Sequence, residues 1–161
     1  MESRAKLFGH PIHQMLIVFP FGLLAMALVF DVLYLSTGND YWAQTAYGMI
    51  AAGILSGFLA APFGFIDWLA IPGGTRAKRV GALHGAGNLF VLVLYSMSWA
   101  QRGVDPGSPV PLAFIFSFAG GIIAIFTGWL GGELVDRLGV GVDDGANLNA
   151  PSSLSKRRIS G

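Results

Sequence analysis

The stretch PIHQMLIVFPFGLLAMALVFDVLYL, residues 11–35, has His13, Gln14 and Asp31 as its only strongly polar side chains. A helix rising about 1.5 Å per residue needs roughly 20 apolar residues to cross a ~30 Å hydrocarbon core, and this run supplies them. Three more runs of the same kind follow at residues 47–71, 80–99 and 111–134. The linkers between them are too short to hold a soluble domain. Over all 161 residues, 53% are hydrophobic and 12% charged, with a mean hydropathy of +0.61. Soluble domains carry about a quarter charged residues, so this composition belongs to the membrane class. The predicted fold is all-α: an integral membrane four-helix bundle over residues 7–142 with short loops. Residues 143–161 are polar, poor in large apolar side chains, and expected to be a disordered tail.

Charge distribution orients the bundle. Arg4 and Lys6 precede the first run, Arg76, Lys78 and Arg79 lie between the second and third, and Arg137, Lys156, Arg157 and Arg158 follow the fourth. Only Arg102 lies on the other side. Nine of the ten basic residues therefore share one side, and the positive-inside rule places both termini in the cytoplasm. A cleaved signal peptide is the competing reading of the N-terminus, with Met15–Leu24 as its apolar core and Ala25-Met26-Ala27 as its cleavage site. The apolar run continues through Leu28 to Leu35, a spanning length rather than a signal length. With no cysteine in the chain, disulfides and thiolate metal ligands are excluded. No nucleophile elbow, phosphate loop or nucleic-acid patch stands out, so no enzyme is predicted, and the partner expected from composition is the lipid bilayer.

Local signals refine the helices. Pro11 suits a first helical position, which makes His10 the N-cap and His13 the third residue. Pro20 should bend the first helix. Tyr34, Tyr41, Trp42 and Tyr47 form an interfacial aromatic belt around the turn at 36–40. Gly53-x-x-x-Gly57, Gly81-x-x-x-Gly85 and Gly128-x-x-x-Gly132 predict close helix packing. Asp31, near the outer end of the first helix, is expected as a snorkelling interfacial acid with Arg102 as a partner in reach.

All three histidines fall at the same end of the runs. His10 and His13 open the first and His84 the third, while Asp67 and Glu133 close the second and fourth. Helix direction places His13, Asp67, His84 and Glu133 within about one turn, ~5 Å, of one interface. Ionisable groups at one depth in a membrane protein are a site hypothesis. One reading is a divalent metal held by His10, His13, His84, Asp67 and Glu133. Another is a single haem b ligated by His13 and His84, with Gly81, Gly85 and Gly87 making room. The absence of histidine at the outer end excludes a two-haem electron wire. A third is structural: His10 caps a helix, His84 bonds Asn88 or Asp67, and nothing is bound. A fourth is proton, ion or solute handling, with Pro62 and Gly64 freeing carbonyls beside Asp67. A parallel repeat also suggests itself, pairing His13 and Asp67 of one half with His84 and Glu133 of the other.

Gly9-His10-Pro11-Ile12-His13-Gln14-Met15-Leu16, followed by Phe19-Pro20 and Phe30-Asp31, resembles the opening signature of the bacterial domain-of-unknown-function family DUF2231. The blocks Pro62 to Asp67, His84 to Asn88, Gly128 to Val135 and Gly139-Val140-Gly141-Val142 resemble its later motifs. The likeness spans roughly residues 7–142. It implies a four-helix bacterial inner-membrane protein of no established activity. Relatives joined to Rieske-type iron–sulfur domains imply a redox or stress-linked accessory role, which in this cysteine-free chain needs a partner protein. The chain departs from the family pattern at Val18, where a further histidine is expected before Phe-Pro.

Overall fold

The computed structural model describes residues 1–103 and 105–155. A two-residue hairpin, β1 (Lys6–Leu7) and β2 (His10–Pro11), precedes five helices. These are α1 (Ile12–Leu16), α2 (Val18–Thr37), α3 (Asp40–Ala70), α4 (Arg76–Arg102) and α5 (Pro111–Gly132). A π-helical turn, Glu133–Arg137, extends the last. Together α1 and α2 make one span, and the described residues contain four helical spans long and apolar enough to cross a membrane. The N-terminal segment and the residues that follow the last span lie at one end of the bundle, here the terminal end, where the Met1 amine donates to the Gly139 carbonyl.

Several boundaries differ from the sequence expectation for definable reasons. Pro11 is the N-cap and not the first helical residue, because His10 is taken up by the hairpin. The break at Ile17 follows from Pro20, whose missing N–H leaves the Leu16 carbonyl without its helical donor. The second and third spans begin 7 and 4 residues earlier than their apolar runs. Asn39 caps the former by accepting from the Tyr41 amide, and Thr75 caps the latter by accepting from the Lys78 amide. Pro62 leaves α3 continuous. At Gly38, φ +65° closes α2 in the left-handed conformation that favours glycine.

The aromatic belt expected around the outer turn forms stacked pairs: Phe30 on Trp42, Tyr34 on Phe114 and Tyr47 on Trp99. The core, built around Leu24, Ala27, Ile50, Val91, Leu92 and Tyr95, lies where the helices meet. Exposed Leu, Ile, Val and Phe cover the outside, as a lipid-facing surface requires. Of the three predicted glycine motifs, Gly53-x-x-x-Gly57 makes close contacts at both positions, against Leu24 and Leu92. Gly85 and Gly132 have open space beside them, so the other two motifs pack at one position only.

The two halves repeat. Asp31 pairs with Arg102, and the Tyr95 hydroxyl donates to the Leu24 carbonyl, each across 71 residues. His13 meets His84 across the same spacing. The buried positions Ala27 and Ser98 obey it too. On the second helix of each half the spacing is 67: Ala46 and Ala113, Ile50 and Ser117, Gly53 and Gly120, and Ala60 and Thr127 are all buried. Gly53 packs on Leu24 as Gly120 packs on Tyr95, so the packing contact repeats along with the positions. Equivalent residues of α1–α2 and α4 therefore meet each other along the bundle centre. The expected repeat is present in the histidines but not in the carboxylates: Asp67 and Glu133 are 66 apart and do different work.

Residues 143–155 form turns, and they touch the N-terminal segment through the Asp144 amide on Glu2 and Ser153 on His10. Lys156, Arg157 and Arg158, counted among the topology-determining basic residues, lie outside the described residues.

Candidate functional site

His13 and His84 approach across the bundle centre with ring centroids 6.4 Å apart and planes near perpendicular, at 87°. Each imidazole is seated by the second helix of its own half. His13 Nδ1 lies 3.0 Å from the Ala60 carbonyl, and His84 Nδ1 lies 2.9 Å from the Thr127 carbonyl. Four residues on, one helical turn further, a glycine lies against each ring. A Cβ at Gly64 would stand 2.7 Å from His13 Cε1, and one at Gly131 would stand 3.0 Å from His84 Cε1. Carbonyl and glycine thus form one seat, made twice. With Nδ1–H donated to a carbonyl, the neutral tautomer leaves Nε2 as the nitrogen with a lone pair.

The seats are not identical. Asn88, one turn beyond His84, brings its Nδ2 to 3.2 Å from His84 Nε2, and its Oδ1 accepts from Thr127 Oγ1 at 2.8 Å. The Asn88–Thr127 pair fixes the side of His84, whereas His13 is held by Ala60 alone among these groups. His84 lies eight residues into α4, about 12 Å from Arg76. It is two turns deep, not one, because α4 begins before its apolar run.

The other predicted members of the cluster are engaged elsewhere. Asp67 accepts from Ser3 Oγ at 2.7 and 2.8 Å, from the Arg4 amide at 2.7 Å and from the Ala5 amide at 3.2 Å. Its carboxylate ties down the N-terminal segment. Glu133 forms an ion pair with Arg76 at 2.6 Å. His10 lies on the exposed hairpin with Nε2 3.3 Å from Ser153 Oγ. Among the described residues no group of three or more His, Asp or Glu is gathered that could hold a metal ion. Of the five predicted residues, the structure brings only His13 and His84 together. The cause is tertiary: hairpin backbone amides compete for Asp67, and Arg76 competes for Glu133. Val18, the departure from the family pattern, is 61% exposed and lies away from the buried centre, so the imidazole pair does not depend on it.

A second polar cluster lies toward the opposite end of the bundle. Asp31 and Arg102 are both fully buried and form a two-pronged ion pair, with both nitrogen–oxygen distances 2.7 Å. Ser117 Oγ donates to Asp31 Oδ2 at 2.8 Å, and Arg102 Nε donates to Ser98 Oγ at 3.3 Å. Asp31 is thus not a snorkelling acid. The sequence signal was present in Arg102 as the one basic residue on its side and in Asp31 as an acid inside an apolar run, but their burial depended on the half-to-half pairing.

A model of the family described as "Predicted membrane protein (DUF2231)" matches residues 9–144, most of the chain. Neither the curated proteins nor the solved structures contain a match.

Proposed function

The chain belongs to the DUF2231 family of predicted membrane proteins, and we propose that its paired imidazoles hold one metal centre in a redox-linked accessory role. The proposed setting is the bacterial inner membrane with both termini cytoplasmic, and the one-sided distribution of nine basic residues supports that orientation. The observation that carries the site is the pairing of His13 with His84 at 6.4 Å. Two metal–nitrogen bonds of roughly 2 Å each, plus the distance from each nitrogen to its ring centre, span about that separation. Nδ1–H bonds to backbone carbonyls are the outer support that ligating histidines use to fix ring orientation. The shared chemistry is bis-imidazole coordination, supplied to a haem iron or to a bare ion. A haem brings its own equatorial ligands and needs only two from the protein. A metal held by His84 Nε2 would take the place of the Asn88 amide, whose Oδ1 accepts from Thr127.

Purification in mild detergent after haem- and metal-replete expression tests this reading. A Soret band lost in both His13→Ala and His84→Ala identifies haem. One equivalent of metal without a Soret band, lost in the same variants, identifies an ion. Colourless, metal-free wild-type protein overturns the proposal and leaves the alternative of a structural or transport-associated module without a cofactor.

A further inference from the structure

Arg4 lies at the edge of the apolar surface, exposed, while most basic side chains near it are committed. Lys6 pairs with Glu2, Arg76 with Glu133, and Lys78 lies over the Trp68 ring, 4.0 Å from its centroid, with Nζ donating to the Trp68 carbonyl. Among the described residues Arg4 has no ion-pair partner. Its backbone is fixed all the same, because its amide donates to Asp67 and its neighbours Ser3 and Ala5 do likewise. The guanidinium therefore extends from an anchored point.

A shallow groove runs from Arg4 along the last turns of α3, lined by Ile66, Leu69 and Ala70. Ile66 and Leu69 are exposed apolar residues on a membrane-length span, so acyl chains are what covers them. The adjoining hairpin presents Leu7 and Phe8, the latter 73% exposed and held at φ +50° at the turn. Large apolar side chains beside a cation at the end of a span match the layered chemistry of a membrane interface.

We infer that this groove holds an anionic phospholipid, its headgroup phosphate on Arg4 and an acyl chain along Ile66 and Leu69. Charge complementarity commits the site to an anionic headgroup. The two carboxylates near it are engaged elsewhere, Asp67 by three donor groups and Glu2 by Lys6, and neither pairs with the Arg4 guanidinium. Phosphate binding by arginine is geometrically favourable because the planar guanidinium presents two parallel donors. The site depends on membrane insertion alone and is independent of the imidazole pair.

Native mass spectrometry of detergent-solubilised full-length protein tests it, with phosphatidylglycerol and phosphatidylcholine as probes. Wild type should retain one phosphatidylglycerol, and Arg4→Gln should weaken that retention about fivefold. Arg137→Gln, which removes an exposed charge at the same end of the bundle but away from the groove, should retain the lipid as wild type does. Equal retention by Arg4→Gln and wild type, equal retention of phosphatidylcholine, or an equal loss in Arg137→Gln would overturn the assignment. Because Arg4 is exposed, the Gln variant keeps the fold, which thermal unfolding checks directly.

Discussion

Asp31 and Arg102 are fully buried symmetry mates: they occupy the same position in the two halves of the chain and neutralise each other across the bundle centre. Leaving either charge alone in a low-dielectric interior costs about 3–5 kcal/mol. Asp31→Ala and Arg102→Ala should each lower stability by about that amount in detergent unfolding. Because the two positions are equivalent, the exchanged pair Asp31→Arg with Arg102→Asp should be more stable than either of its single components. An exchanged double variant no better than the singles would contradict the equivalence.

Gly64 and Gly131 make the same seat for His13 and His84, so they should respond alike. A methyl at Gly64 forces the His13 ring to shift, and one at Gly131 crowds the His84 ring at 3.0 Å. Gly64→Ala and Gly131→Ala should each destabilise by about 1–3 kcal/mol, the cost of overpacking a fitted site. Both should also shift the imidazole resonances of the two histidines in NMR spectra. Gly85→Ala, with open space beside it, serves as the matched control and should leave those resonances unchanged.

Asp67 acts as an anchor, so its removal should free the chain N-terminal to the first span while leaving the imidazoles in place. Hydrogen bonds to a charged acceptor contribute about 1.5–3 kcal/mol each, and Asp67→Ala removes several together. The amides of Arg4 and Ala5 should lose protection in hydrogen exchange, and proteolysis should cut within the first residues. Unchanged His13 and His84 resonances in this variant would confirm that the carboxylate is not part of their site.

Glu2 supplies a pH dependence at the same end. The Lys6 ammonium bonded to it, and then the Asp144 amide, hold its carboxyl below the ordinary carboxylate range. A depressed folded-state pKa means that the associated stability is present above the unfolded pKa and is lost as pH falls through the folded one. Acidification should therefore loosen the contact between the N-terminal segment and residues 143–144. An NMR titration of the Glu2 carboxyl should show the low midpoint, and Lys6→Met should raise it.

Four spans and their order were legible in sequence, because lipid demands long apolar helices and composition records that demand directly. The imidazole pair was legible for a similar reason: helix direction alone brings His13 and His84 to one depth. The five-member cluster was not, since depth says nothing about azimuth or competing partners. Asp67 and Glu133 reached the correct level and were claimed there by Ser3, backbone amides and Arg76.

The amino-acid sequence by itself determined the class of the protein, through hydropathy, and the residues available for chemistry, through the placement of its few polar side chains. Tertiary structure decided which of them meet. A spacing of 71 on one helix and 67 on the next matches a few identical residues, such as His13 and His84 or Gly53 and Gly120, but others, such as Leu24 and Tyr95 or Asp31 and Arg102, differ chemically. Side chains that face each other across a centre need complementary shapes and charges rather than equal ones, and only the folded packing reveals that pairing.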